Sequence, residues 1–167
     1  MSDDQLHADM RRASLNWLAR REHSVREISD RLRRRFGDDA PVQTILDWLT
    51  GQNFLDDRRF AGVFMRSRIE RGQGPLRLRQ ELQQRGLSET LIEEALAEAE
   101  CDWFALAAST RARRFRKLPG ADRKEKARQL RFLQYRGFTS EQCFAALDGA
   151  DDSDELGDPA DSGNLDL

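Results

Sequence analysis

The stretch Leu82-Gln83-Gln84-Arg85-Gly86-Leu87-Ser88 recurs 51 positions later as Leu133-Gln134-Tyr135-Arg136-Gly137-Phe138-Thr139. Its chemistry is that of a corner between two helices. Glycine takes the left-handed stop that a side chain resists, the apolar residue closes the turn, and Ser or Thr caps the next helix. Ile92 and Leu96 match Cys143 and Leu147 at the same offset. Further back, Leu32 and Arg35 precede Leu82 and Arg85 by 50, and a three-residue insertion around Gly37-Asp38-Asp39 shifts the register of the residues after it. A period near 50 with helical punctuation implies stacked helical units.

Helices lie on both sides of each corner. Val25, Ile28, Leu32 and Phe36 form one helical stripe, opened by the capping-box pair Ser24 and Glu27 and stopped by Gly37. Val42, Ile45, Leu46 and Leu49 form the next, and Met10, Ala13, Trp17 and Leu18 the one before. Helices are therefore expected near 9–21, 24–36 and 41–51. The same order predicts 57–71, 75–85 and 88–100, with start signals at Asp56 or Asp57, Gly74-Pro75 and Ser88. A third set is expected near 101–116, 122–136 and 139–148, with Asp122–Glu125 and Thr139–Gln142 as further capping-box pairs. No Gly or Pro lies between Ser88 and Leu118, so the sixth and seventh helices are open to running together. The expected architecture is all-α: three tandem three-helix repeats (9–55, 56–100 and 101–148) in an elongated, curved helical stack. A flexible N-terminus (1–8) and a disordered acidic tail (149–167) flank them.

Composition agrees with a thin core. Of the 167 residues, 38% are hydrophobic and 35% charged, against typical fractions of roughly 45–50% and 25%. A repeat-built chain with a large surface has this balance; a deep enzyme pocket does not suit it. No apolar run reaches membrane-spanning length, and the acidic start lacks the apolar region of a signal peptide. Cys101 and Cys143 stand alone, as thiols in a reducing cytoplasm do. The formal charge of −2 hides a division. Residues 148–167 carry eight acids and no Lys or Arg, whereas residues 101–147 carry 11 basic and 4 acidic side chains.

Catalysis lacks converging groups. His7 and His23 have no ligand partner at helical spacing and are expected on the surface, so no metal or cofactor is expected. No nucleophile elbow, P-loop or dinucleotide fingerprint occurs. The run Glu89, Glu93, Glu94, Glu98 and Glu100 is expected to be a solvated face. The informative feature is basic. Arg31, Arg33, Arg34 and Arg35 crowd one helix end, and Arg111, Arg113, Arg114, Arg116 and Lys117 another. Lys124, Arg128 and Arg131 then share one helical face, which Tyr135 continues. Arginine outnumbers lysine 25 to 3, and its planar fork binds carboxylate and phosphate bidentately. The candidate partner-binding residues are Arg113, Arg114, Arg116, Lys117, Lys124, Arg128 and Arg131, with Arg31, Arg33, Arg34 and Arg35 as a second patch.

Asp57-Arg58-Arg59-Phe60-Ala61, Gly74-Pro75-Leu76-Arg77-Leu78-Arg79-Gln80-Glu81-Leu82-Gln83-Gln84-Arg85-Gly86-Leu87 and Leu130-Arg131-Phe132-Leu133-Gln134-Tyr135-Arg136-Gly137-Phe138 resemble the RecX family of bacterial recombination regulators. The resemblance covers about residues 9–148 and leaves out the acidic tail. It implies a non-enzymatic, cytoplasmic monomer that binds the RecA recombinase polymerised on single-stranded DNA. It further implies restraint of filament growth, ATP hydrolysis, strand exchange and co-protease activity. Single-stranded DNA is a second candidate partner, and a helical protein acting directly on DNA is the alternative reading.

Overall fold

The computed structural model describes residues 2–149, and those residues form nine α-helices and no strand. They are α1 (Asp3–Arg20), α2 (Val25–Phe36), α3 (Val42–Gly51), α4 (Asp57–Glu70), α5 (Pro75–Gln84), α6 (Glu89–Glu98), α7 (Trp103–Arg114), α8 (Arg123–Tyr135) and α9 (Ser140–Asp148). The expected tail beyond Gly149 lies outside the described residues.

Local chemistry sets the helix ends. Ser24 accepts from the Glu27 amide while Glu27 reaches back to the Ser24 N–H, and Thr139 with Gln142 does the same. Asp122 caps α8 through the Lys124 and Glu125 amides, but Glu125 turns to Arg128 and Gln129 instead of closing the box. The first helix starts at Asp3 rather than near residue 9. Ser2 accepts from the Gln5 amide, and Asp3 and Asp4 sit in the first turn, where the helix dipole favours acids. Helices α6 and α7 are separate. The chain breaks at Glu100, a non-glycine residue at φ 48°, and Asp102 caps α7 through the Ala105 amide.

The chain divides into two compact units, one of residues up to Ser67 with Arg79–Ala99, the other of Arg68–Leu78 with the chain from Glu100 on. In the first, Met10, Ile28, Leu32, Val42, Ile45, Leu46, Leu49 and Leu55 form a buried core. Removing one such side chain to Ala costs about 2–5 kcal/mol, a large share of any domain's stability. The acidic face of α6 is tied within this unit. Glu94 and Glu98 pair with Arg58 at 2.7 and 3.6 Å, and Glu93 with Arg79 at 2.9 Å. In the second unit Ala107, Leu133, Phe138, Cys143, Ala146 and Leu147 form the core. Burial holds the Cys143 thiol up at about 11, so it behaves as a small apolar group.

Each unit contains the same joint. In the first, the Ser24 hydroxyl donates to the Arg85 carbonyl at 2.8 Å, and a Cβ on Gly86 would meet the Arg26 side chain at 2.5 Å. In the second, the Gly74 amide donates to the Arg136 carbonyl at 2.8 Å and the Leu76 amide to the Gly137 carbonyl at 2.9 Å. A Cβ on Gly137 would meet the Arg77 backbone nitrogen at 2.6 Å. Arg26 and Arg77 are themselves 51 positions apart. The Arg-Gly corner therefore turns the chain and also seats it on the start of an earlier helix. Gly86 and Gly137 both hold positive φ, at 85° and 95°.

Candidate functional site

The basic residues of the second unit separate into supported and open groups. Phe115, buried just past α7, is flanked by the Arg114 and Arg128 guanidinium groups, 5.0 and 4.8 Å from its ring centroid. Its ring also meets Phe132 edge-on at 5.3 Å, and Arg136 lies 5.3 Å over Phe132. Arg128 additionally pairs with Glu125 at 3.0 Å. Arg113, Arg116, Lys117, Lys124 and Arg131 are exposed, and among the described residues Lys124 and Arg131 have no ion pair. Arg111 leaves the group. It is 2% exposed and donates to the Phe115 carbonyl at 3.0 Å, fixing the end of α7 from inside.

One residue matters here that spacing did not single out. Gln129 is fully buried, and its amide donates to the Lys117 carbonyl and the Glu125 carboxylate, both at 3.0 Å. It thereby pins the Arg116-Lys117 loop to α8. A polar residue four places after Glu125 on the buried stripe was its only sequence signal. Tyr135 is 76% exposed, with Arg77 5.4 Å over its ring. The result is a cationic surface with aromatic support, chemistry suited to carboxylates or phosphates.

The second patch, in the first unit, also divides. Arg33, Arg34 and Arg35 are exposed, whereas Arg31 turns back onto α1, 4.4 Å over the Trp17 ring. Its Nη1 lies 3.1 Å from His23 Nε2. His23 is no surface residue: it is 1% exposed, with Nδ1 2.9 Å from the Arg21 carbonyl oxygen. Burial, with the Arg21 and Arg31 charges, draws its pKa below the usual histidine value against the opposing hydrogen bond to the Arg21 backbone and the Glu27 charge. Among the described residues no group of three or more His, Cys, Asp or Glu is placed to hold a metal, and no helix is long and apolar enough to cross a membrane.

Family models describe the same helices. Residues 56–96 match the second three-helix domain of RecX and residues 100–147 its third. A Regulatory protein RecX from Halorhodospira halophila is 51% identical over 148 residues, 89% of this chain and 92% of the relative. The chain belongs to the RecX family. A second RecX, from Vibrio parahaemolyticus, is 36% identical over 84% of this chain and 90% of its own. The crystal structure of RecX from Lactobacillus salivarius, at 18% identity, has the same fold, with a TM-score of 0.73 over 89% of this chain and 98% of that one.

Proposed function

We propose that this protein binds the RecA recombinase in its filament form on single-stranded DNA and restrains filament growth, ATP hydrolysis, strand exchange and co-protease activity. Membership of a family of regulatory proteins carries the reading. The open cations of the second unit supply a contact chemistry for it, because Lys124 and Arg131 are exposed and uncommitted to any acid among the described residues. Tandem helical domains place contact residues at several points along one chain, and linked weak contacts multiply through effective concentration. Such a binder favours a polymer over its free subunit. On this reading the protein acts as a cytoplasmic monomer without a cofactor.

The test reverses Lys124 and Arg131 to Glu together, sparing Arg114 and Arg128, which pack on Phe115. Exposed substitutions usually change stability by no more than about 0.5 kcal/mol each, so the fold should persist. Inhibition of RecA's DNA-dependent ATP hydrolysis should weaken at least about tenfold, the equivalent of about 1.4 kcal/mol of binding. A folded double variant as potent as the parent would remove this face from the contact. Direct action on DNA makes a different forecast: strong, steeply salt-dependent binding to bare single strands that needs no recombinase.

A further inference from the structure

Arg31 is held, not merely exposed. The Arg21 carbonyl oxygen can only accept, so His23 Nδ1 carries the ring proton, and Nε2 is left as the acceptor facing Arg31 Nη1 at 3.1 Å. Neutral His23 thus fixes the guanidinium over Trp17, 4.4 Å from the ring centroid. Two adjoining surface grooves share this pair's surroundings. Arg21, Glu27, Asp30, Arg31 and Arg34 line one, and Trp17, Arg31, Arg34 and Arg35 line the other. Arg21 is paired with Glu27 at 3.1 Å, so Asp30 alone opposes the charges of Arg31, Arg34 and Arg35.

We propose that this groove is a subsite for single-stranded nucleic acid, in which an unstacked base lies against the Arg31–Trp17 pair, adjacent phosphates meet Arg34 and Arg35, and His23 is a positioning residue. The ligand class comes from the lining. An acidic protein surface would use the three cations but has no need of a guanidinium supported on an indole. A nucleotide uses both, because bases stack on aromatic and guanidinium planes while phosphates take the flanking arginines. Free phosphate would likewise leave the stack unused. The groups facing His23 are Arg21, Arg31 and Glu27, two positive and one negative. Protonation would turn Nε2 into a donor pointed at Arg31 and release the guanidinium. The subsite therefore weakens on acidification, the reverse of a plain basic patch, which gains a charge when a histidine protonates. Such a subsite goes beyond filament binding and rests on separate residues.

The experiment measures anisotropy of a labelled oligothymidylate and of an abasic strand of equal length and charge, with the full chain. It is run in the parent and in the Lys124→Glu/Arg131→Glu background, which silences the other face. Oligothymidylate should bind more tightly than the abasic strand, and Arg31→Gln should cut its affinity about tenfold while hardly touching the abasic strand. Arg34→Gln/Arg35→Gln should weaken both strands and lower the salt slope by about 1.4. Below the folded-state pKa of His23, which lies under the ordinary histidine value of about 6.5, affinity of the parent should fall and that of His23→Gln should hold level. Equal binding of the two strands by the parent, tightening on acidification, or equal competition by a polyglutamate of matched charge would each overturn the proposal. The surface pair Arg34 and Arg35 keeps it testable even if Arg31→Gln fails to fold.

Discussion

Gly137→Ala is a perturbation whose cost is the sum of two separable terms. Gly137 holds φ at 95°, where an alanine is strained by about 1–2 kcal/mol. The new Cβ would also press on the Arg77 backbone, with its nitrogen at 2.6 Å and its Cα at 3.0 Å. Backbone inside a helix cannot swing aside as a side-chain tip can, so overpacking adds about 1–3 kcal/mol. Relief by separation would stretch the hydrogen bonds from the Gly74 and Leu76 amides, at 2.8 and 2.9 Å. The expected total is about 2–5 kcal/mol. Gly120 supplies the control, because its φ of 58° also lies in the left-handed region while nothing lies within 4 Å of its Cβ position. Gly120→Ala should therefore cost only about 1–2 kcal/mol. Urea titrations followed by circular dichroism would give both values; in thermal melts each kcal/mol corresponds to about 2–4 °C for a chain of this size. Equal losses at the two glycines would refute the joint as a close-packed contact and leave only backbone strain.

The remaining predictions concern protons and charge. His23 has a pKa lowered mainly by burial, so between its folded value and about 6.5 the unfolded chain binds more protons. Stability should accordingly fall as pH drops below about 6.5, and His23→Gln should remove that component; parallel stability curves for the two proteins would sink it. Truncation after Gly149 removes Asp151, Asp152, Asp154, Glu155, Asp158, Asp161 and Asp166, with no basic residue. Gly149, the last described residue, abuts Leu118, next to Arg116 and Lys117. Affinity for bare DNA at low salt should rise in the truncated chain, and unchanged or weaker binding would reduce the acidic segment to an aid to solubility.

Features written into neighbouring residues were legible in the sequence. Ser24 with Glu27, Thr139 with Gln142, and the stop glycines act across a single turn, and their helices lie close to the expected boundaries. The misreadings have several causes, among them a local cap at Ser2 that starts α1 early and side chains whose direction spacing does not fix. Glu100 breaks the chain between α6 and α7 without a glycine or proline to announce it. His23 reads as a junction residue until Arg31 and the Arg21 carbonyl close around it. Among the arginines of the candidate faces, charge alone does not separate buried Arg111, which fixes a helix end, from exposed Arg113 two residues later. The corner at Gly137 was visible as a turn, but Arg77, its neighbour in space, lies 60 positions earlier.

The joint also bears on how the chain is completed as it leaves the ribosome. The start of α2 waits for two later arrivals, the Asp57 carboxylate that takes the Val25 amide at 2.8 Å and the Arg85 carbonyl that takes the Ser24 hydroxyl. The start of α5 waits in the same way for Arg136 and Gly137. The starts of α2 and α5 thus gain partners from residues synthesised well after them. Helix α8 breaks the series. Asp122 caps it through the amides of Lys124 and Glu125, within its own first turn.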